Sequence, residues 1–268
     1  MLFVVALVSF SVALLTLFSG FGLGTLLMPT LALFFPAPVA VLLTAIVHGC
    51  NSLFKLALLW RQADYRVVLR FGIPAALAAL LGAATLAALS GGPVLFSWSP
   101  PLDPLVGRML FWQVSAVEAV LGVLILLFAA LEVLPATRRL RFAPRWLPLG
   151  GAIAGFFGGL SGHQGALRAA FLVPLELEPR TYAGTQAVLA SVVDVFRLGA
   201  YAVALAGGSL SGLGGRQQQQ VLVVAVVCAL SGSLLGKRML GKATVRGIRR
   251  LTTALLVLVG LGLLSGAL

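Results

Sequence analysis

Charge is what this 268-residue sequence has least of. Asp, Glu, Lys and Arg together make up 10% of it, where a soluble domain carries about 25%. A water-facing surface cannot be built from so little, which excludes an ordinary soluble domain. Acidic residues are scarcer still, 7 against 19 Lys and Arg, and the formal balance of +12 would suit nucleic acid if the cations shared one surface. Most arginines instead fall in short loops between apolar runs, a pattern of membrane topology, so no nucleic-acid partner is expected. Cysteine is nearly missing. Cys50 and Cys228 both lie inside apolar runs, which leaves no disulfide framework and no metal-ligand spacing. No metal and no other cofactor is expected.

Apolar residues fill the space, with 60% hydrophobic residues and a mean hydropathy of +1.08. A transmembrane helix needs roughly 20 mostly apolar residues, and such runs follow one another along the whole chain. They are continuous Leu/Ala/Val/Gly blocks, whereas barrel strands alternate polar and apolar residues over about 10 positions. The fold class is therefore all-α and polytopic transmembrane, with the lipid bilayer as solvent. Residues 1–18 lack a basic leading region and an A-x-A-like cleavage site, so they are expected to stay in the mature protein.

The apolar segments cover residues 1–35, 39–60, 67–89, 109–131, 147–175, 182–206, 221–236 and 251–268. Two are broken by glycine and then proline: 1–35 at Gly20, Gly22, Gly24 and Pro29, and 147–175 at Gly158, Gly159, Gly162, Gly165 and Pro174. Gly20 to Pro29 and Gly165 to Pro174 have the same spacing, and further echoes join the two halves. We read an internal duplication, with 1–131 as a first transmembrane repeat, 132–146 as a cytoplasmic linker and 147–268 as a second repeat. Basic residues mark three cytoplasmic loops: Arg61, Arg66 and Arg70; Arg138, Arg139, Arg141 and Arg145; and Lys237, Arg238, Lys242, Arg246, Arg249 and Arg250. All three reach one side only if 147–175 is a re-entrant helical hairpin, and by duplication 1–35 is expected to be one as well. Each repeat then holds one hairpin plus three transmembrane helices, and the odd number of crossings makes the repeats inverted. Transporters built this way place their site where the breaks meet.

A helix that begins in mid-membrane aims unpaired N–H groups and a partial positive charge at whatever faces it, which makes an anion site. The residues expected to bind substrate are Gly22, Gly24, Thr25 and Asn51 from the first repeat and Gly162, His163, Gln164, Gly165 and Arg168 from the second. Arg168 either contacts a small anionic substrate or pairs with Glu118 or a backbone carbonyl. His48, Asn51, Ser52 and Lys55 recur at helical spacing on one face, with Tyr182, Gln186, Asp194, Arg197 and Tyr201 as their counterpart. Lys55 either snorkels toward the cytoplasm or serves the site. Asp194 and Arg197 are spaced for an ion pair. Alternatively, Asp194 or Glu118 carries a coupled proton. Spacings such as Gly155 to Gly159 and Gly232 to Gly236 read as close helix packing.

These residues together resemble the TauE/SafE (TSUP) family of sulfite and organosulfonate exporters over essentially the whole chain. The resemblance rests on the glycine break followed by Pro29, the entry to the second helix, Asn51 late on that helix, and the weaker repeat of the pattern over 155–194. It implies a multi-pass plasma-membrane transporter of a prokaryote that exports sulfite or a related anion. His163, Gln164 and Arg168 stand where that pattern has small or apolar residues.

Two other functions stay open. Gly159-Leu-Ser161-Gly162 looks like the nucleophile motif of rhomboid intramembrane proteases, in which a serine needs a histidine base; here His163 is the one histidine after Ser161. A non-transporting membrane subunit is the other. Homo-oligomerisation is left open by the sequence.

Overall fold

A computed structural model of the protein describes residues 1–19, 23–98, 112–133, 142–210, 214–236 and 245–267. Gly20, Gly22, most of the linker arginines and the stretch from Lys237 to Lys242 lie outside the described residues. Ten α-helices account for nearly everything described: α1 (Leu2–Ser19), α2 (Leu23–Ala32), α3 (Ala37–Leu59), α4 (Tyr65–Ser90), α5 (Ala116–Val133), α6 (Leu147–Ser161), α7 (Gly165–Leu172), α8 (Pro179–Ala206), α9 (Arg216–Gly236) and α10 (Val245–Ser265). Among the described residues, four helices are long and apolar enough to cross a membrane: α3 with the turn that follows it, α4, α8 and α9. Shorter apolar stretches lie in α1, α2, α5, α7 and α10. Leu69, Ile73, Leu77 and Leu81 form an exposed leucine-rich stripe along α4. Leaving each in water would forgo roughly 1.5–3 kcal/mol, so hydrocarbon must cover that face. The chain is a polytopic α-helical membrane protein.

The helix ends follow from local chemistry. Pro36 and Pro179 stand at the starts of α3 and α8, where a missing N–H costs nothing. Asp64 caps α4, its Oδ1 accepting from the backbone N–H groups of Arg66 at 2.9 Å and Val67 at 3.2 Å. The backbone N–H of Asp64 in turn donates to Thr185 Oγ1 at 2.9 Å, which ties the start of α4 to α8.

The helix expected from residue 109 begins at Ala116 instead. Before it, β2 (Trp112–Ser115) pairs antiparallel with β1 (Val94–Trp98), a small hairpin that the all-α expectation did not contain. The reason lies in Ser115 and Glu118, which form a capping box: Glu118 Oε2 accepts from the Ser115 N–H at 2.8 Å and from its hydroxyl at 2.7 Å. The rings of Trp98 and Trp112 meet edge-on with centroids 4.8 Å apart. Trp98 Nε1 donates to the carbonyl of Ser265 at 2.9 Å, which fastens the hairpin to the end of α10.

Packing between the two halves is reciprocal. The first helix of each half lies along the fourth helix of the other, α1 on α9 and α6 on α4, while α3 packs on α8 and α5 on α10. Glycines make the first two contacts close. Gly151, Gly155 and Gly159 on α6 lie against the backbones of Phe71, Ala75 and Ala79 on α4. On α9, Gly232 and Gly236 lie against Phe10 and Leu14 of α1. Small residues at four-residue spacing let helices approach to backbone contact in lipid, which is the packing role expected of the glycine pairs.

Candidate functional site

The first expected break falls at residues 20–22, outside the described residues. The second lies between α6 and α7, where Gly162 ends α6 with φ +82°, a left-handed conformation that glycine adopts without a Cβ clash. The start of α2 meets this break. A β-carbon placed on Gly24, the second residue of α2, would lie 2.7 Å from the carbonyl oxygen of Gly162 and 3.8 Å from Cδ2 of His48. Thr25 is buried beside it. Gly165 opens α7. Gly22 lies outside the described residues.

A buried polar network runs from this junction along α8. At its centre is Asp194, 1% exposed. Its Oδ2 lies 2.7 Å from His48 Nδ1 on α3. Its Oδ1 lies 2.8 Å from Arg197 Nη2, close enough to pair although not aligned as a hydrogen bond. Gln164 Nε2 donates to the same oxygen at 3.2 Å. Gln164 then bridges onward, its Oε1 accepting from Arg168 Nη1 at 3.2 Å. Arg168 Nε donates to Gln186 Oε1, and Gln186 Nε2 donates to the Tyr182 hydroxyl at 2.8 Å. Every member comes from the broken-helix region, α3 or α8, and only Tyr182 and His48 are partly exposed.

Arg197 and Tyr201 also hold the end of α6 in place. Arg197 Nη1 donates to the carbonyl of Gly158 at 3.0 Å, and the Tyr201 hydroxyl donates to that of Gly159. The last carbonyls of a helix have no intrahelical donors and carry its negative end. The Gly158 carbonyl already accepts from the Gly162 N–H at 3.1 Å and takes the guanidinium as a second donor, while a phenol from α8 supplies one to the carbonyl of Gly159. The ion pair expected of Asp194 and Arg197 is formed, and Arg197 anchors the break as well.

The structure separates residues that the sequence placed on one face. His48 and Ser52 turn toward α8, with Ser52 Oγ 3.2 Å from His48 Nδ1. Asn51 turns toward α9, where its Oδ1 accepts from Ser233 Oγ at 2.6 Å. Ser233 escaped the sequence reading; its position beside Gly232 on the close-packed face of α9 was the available signal. Lys55 is half-buried one turn after Asn51. Glu118 is occupied in the α5 cap, so the expected alternative partner of Arg168 is replaced by Gln164 and Gln186.

His163 stacks on Phe128, with ring centroids 5.1 Å apart and planes 6° from parallel. Its Nδ1 lies 3.1 Å from the carbonyl oxygen of Ser161 and 3.2 Å from its Oγ. A nitrogen directed at a carbonyl carries the hydrogen, and such a nitrogen cannot take a proton from serine. The Ser161 hydroxyl itself donates back along α6 to Phe157 at 3.1 Å. Among the described residues, no cluster of His, Cys, Asp and Glu could hold a metal ion.

Residues 5–263 match the family model described as Sulfite exporter TauE/SafE. No significant match was found among curated proteins or among solved structures. The family match covers the polar network and α2 to α9 in full, with most of α1 and α10, and the chain belongs to the TauE/SafE family of sulfite exporters, multi-pass membrane proteins that move an anion.

Proposed function

We propose that this protein exports sulfite or an organosulfonate across the plasma membrane of a prokaryote, binding it where the two helix breaks meet. The observation that carries this reading is the charge balance around Arg168. The side chain is 4% exposed, and among the described residues its guanidinium meets the amide oxygens of Gln164 and Gln186 and no carboxylate. A buried cation with no carboxylate in contact is expensive in a membrane protein, at least about 2.5–3.5 kcal/mol on insertion scales. A bound anion removes that cost. The start of α7 adds N–H groups one turn away, and Gln186 joins the expected site residues as the side chain that orients the guanidinium.

The substrate would sit between Arg168, Gln164 and the backbone of the Gly162 to Gly165 break, with Gly24 and Thr25 closing it from the first repeat. Sulfonate and sulfite oxygens suit a planar guanidinium and backbone N–H donors. The two repeats would invert their access to this site by moving α1 with α9 and α6 with α4 as packed pairs. A hydrolytic reading would need the Ser161 hydroxyl turned toward a free histidine nitrogen, whereas it donates to Phe157.

Purified protein in liposomes tests the proposal directly. Sulfite, sulfate, thiosulfate, sulfoacetate and taurine should be presented in turn, with and without a proton gradient. Saturable flux of a sulfur oxyanion or sulfonate is the expected result. Absence of flux for all five, with a stoichiometric partner protein co-purifying, would favour a non-transporting subunit instead.

A further inference from the structure

We propose that His48 is the proton-carrying residue of the transport cycle, taking a proton on Nε2 as the anion binds and releasing it as the anion leaves. This rests on the anion reading above and adds the group that links anion movement to a proton gradient.

Asp194 is the obvious carboxylate for that role, and its surroundings hold it ionised. Both oxygens face donors: Gln164 and the Arg197 guanidinium at Oδ1, and His48 at Oδ2. A proton placed there would collide with those donors. It would also leave Arg197, 1% exposed, as an unbalanced buried cation. Arg197 is needed where it is, because it holds the Gly158 carbonyl at the break. Glu118 is committed to the α5 cap.

An ionised Asp194 fixes the histidine. With a carboxylate oxygen 2.7 Å away, Nδ1 carries the hydrogen, so Nε2 is the basic nitrogen. Nε2 has no hydrogen-bond partner among the described residues, and the His48 side chain is 14% exposed where Asp194 is 1%. The edge of the ring that holds Nε2 faces the start of α2, since Cδ2 lies 3.8 Å from a β-carbon built on Gly24. The site that gains the proton therefore borders the junction of the two breaks.

The charges around His48 set the sign. α8 presents Asp194 and Arg197, and α7 presents Arg168; on α3 itself Ser52 faces the ring and Lys55 lies two turns on. α2 contains no titratable side chain, α5 contributes the capped Glu118 and carries Glu132 in its last turn, outside the described side chains, and α9 has no acidic or basic residue after Arg216. Among the described side chains, two guanidiniums thus stand against one carboxylate before any proton arrives. A further positive charge on His48 is unfavourable while the site is empty and favourable once an anion occupies it. Proton and anion then bind together and move in the same direction, and the linkage is reciprocal. No covalent bond changes: the proton enters from the compartment that supplies the anion and leaves into the one that receives it.

The test uses sulfate, thiosulfate and sulfoacetate, whose own charges are constant near neutral pH. In weakly buffered solution, adding the anion that binds to purified wild-type protein should withdraw protons from solution. Its affinity should fall by up to about tenfold per pH unit on the alkaline side of the His48 titration. In His48→Gln, proton uptake on binding should vanish and affinity should become flat with pH. Retention of wild-type proton uptake in that variant would overturn the inference. If His48→Gln does not insert, imidazole NMR of His163→Asn protein leaves His48 as the single histidine signal. The anion should shift its midpoint upward, and an unmoved midpoint would equally overturn it. Anion binding without proton uptake removes the His48 role alone; no binding of any anion at any pH removes the anion reading on which it stands.

Discussion

The α-carbon of Gly24 faces the carbonyl oxygen of Gly162 so closely that a β-carbon on Gly24 would lie 2.7 Å from it. Backbone at the start of α2 thus meets backbone at the break between α6 and α7. An oxygen that belongs to the backbone cannot step aside as a side chain can. Gly24→Ala must open this junction, at a cost of about 1–3 kcal/mol typical of overpacking. The expected result is a protein that inserts, melts earlier and transports poorly. Gly91→Ala is the control, because a β-carbon there meets nothing within 4 Å. Equal melting temperatures and fluxes for the two variants would show that the junction tolerates the extra carbon.

Arg168→Gln separates a binding role from a structural one by the sign of the stability change. The native guanidinium has neutral partners only, Gln164 and Gln186, so removing its charge should leave the detergent-solubilised protein as stable as wild type or more so. Transport should fall about tenfold to a hundredfold, the value of a hydrogen bond to a charged group at about 1.5–3 kcal/mol. Arg168→Lys should recover part of that, since a point charge lacks the planar fork. A variant that melts lower yet transports at the wild-type rate would assign Arg168 to architecture.

How much of this was legible in the sequence depended on whether a feature is local. The second glycine break and the ion pair of Asp194 with Arg197 are set by spacing along one segment, and each is found where spacing put it. Close packing at Gly155, Gly159, Gly232 and Gly236 was also readable, because small residues at this period have few other uses in lipid. The partners were not readable. Nothing in one sequence says that Asn51 meets Ser233, or that His48 reaches a residue 146 positions away. Helical spacing grouped Asn51 with His48 and Ser52; the packing of α3 between α8 and α9 divides them. The β1–β2 hairpin was hidden because Trp112 and Val114 are as apolar as a helix start, and the capping box at Ser115 and Glu118 was read as a buried acid.

Asp194 and Arg197 should behave as one unit in a double-mutant cycle. Asp194→Asn leaves the Arg197 guanidinium buried without its carboxylate, and breaking such a pair costs about 3–5 kcal/mol. Arg197→Gln alone removes the donor to the Gly158 carbonyl as well as the partner of Asp194. Combining both changes should cost less than the two single losses summed, with a coupling of about 0.5–3 kcal/mol. Thermal unfolding of the four proteins in detergent measures this. Strictly additive losses would mean that the two side chains do not depend on one another.

Orientation of the repeats can be decided from the two ends of the second repeat's hairpin-free helices. Reciprocal packing of α1 on α9 and α6 on α4 relates the halves, and the basic loops then fix which way each half points. Arg61 and Arg66 follow α3, whereas the corresponding turn after α8, from Gly207, carries no basic residue until Arg216. Cytoplasmic loops are the ones enriched in Lys and Arg, so the inverted-repeat reading expects equivalent turns on opposite faces of the membrane. It expects Ser209, exposed in the turn after α8, outside, and position 241, within the last basic loop, inside. In a protein with Cys50 and Cys228 replaced, Ser209→Cys should react with an impermeant maleimide on intact cells and Gly241→Cys only after permeabilisation. Equal labelling of both from outside would mean that α9 does not carry the chain across the membrane, which would end the inverted-repeat reading and the alternating access that rests on it.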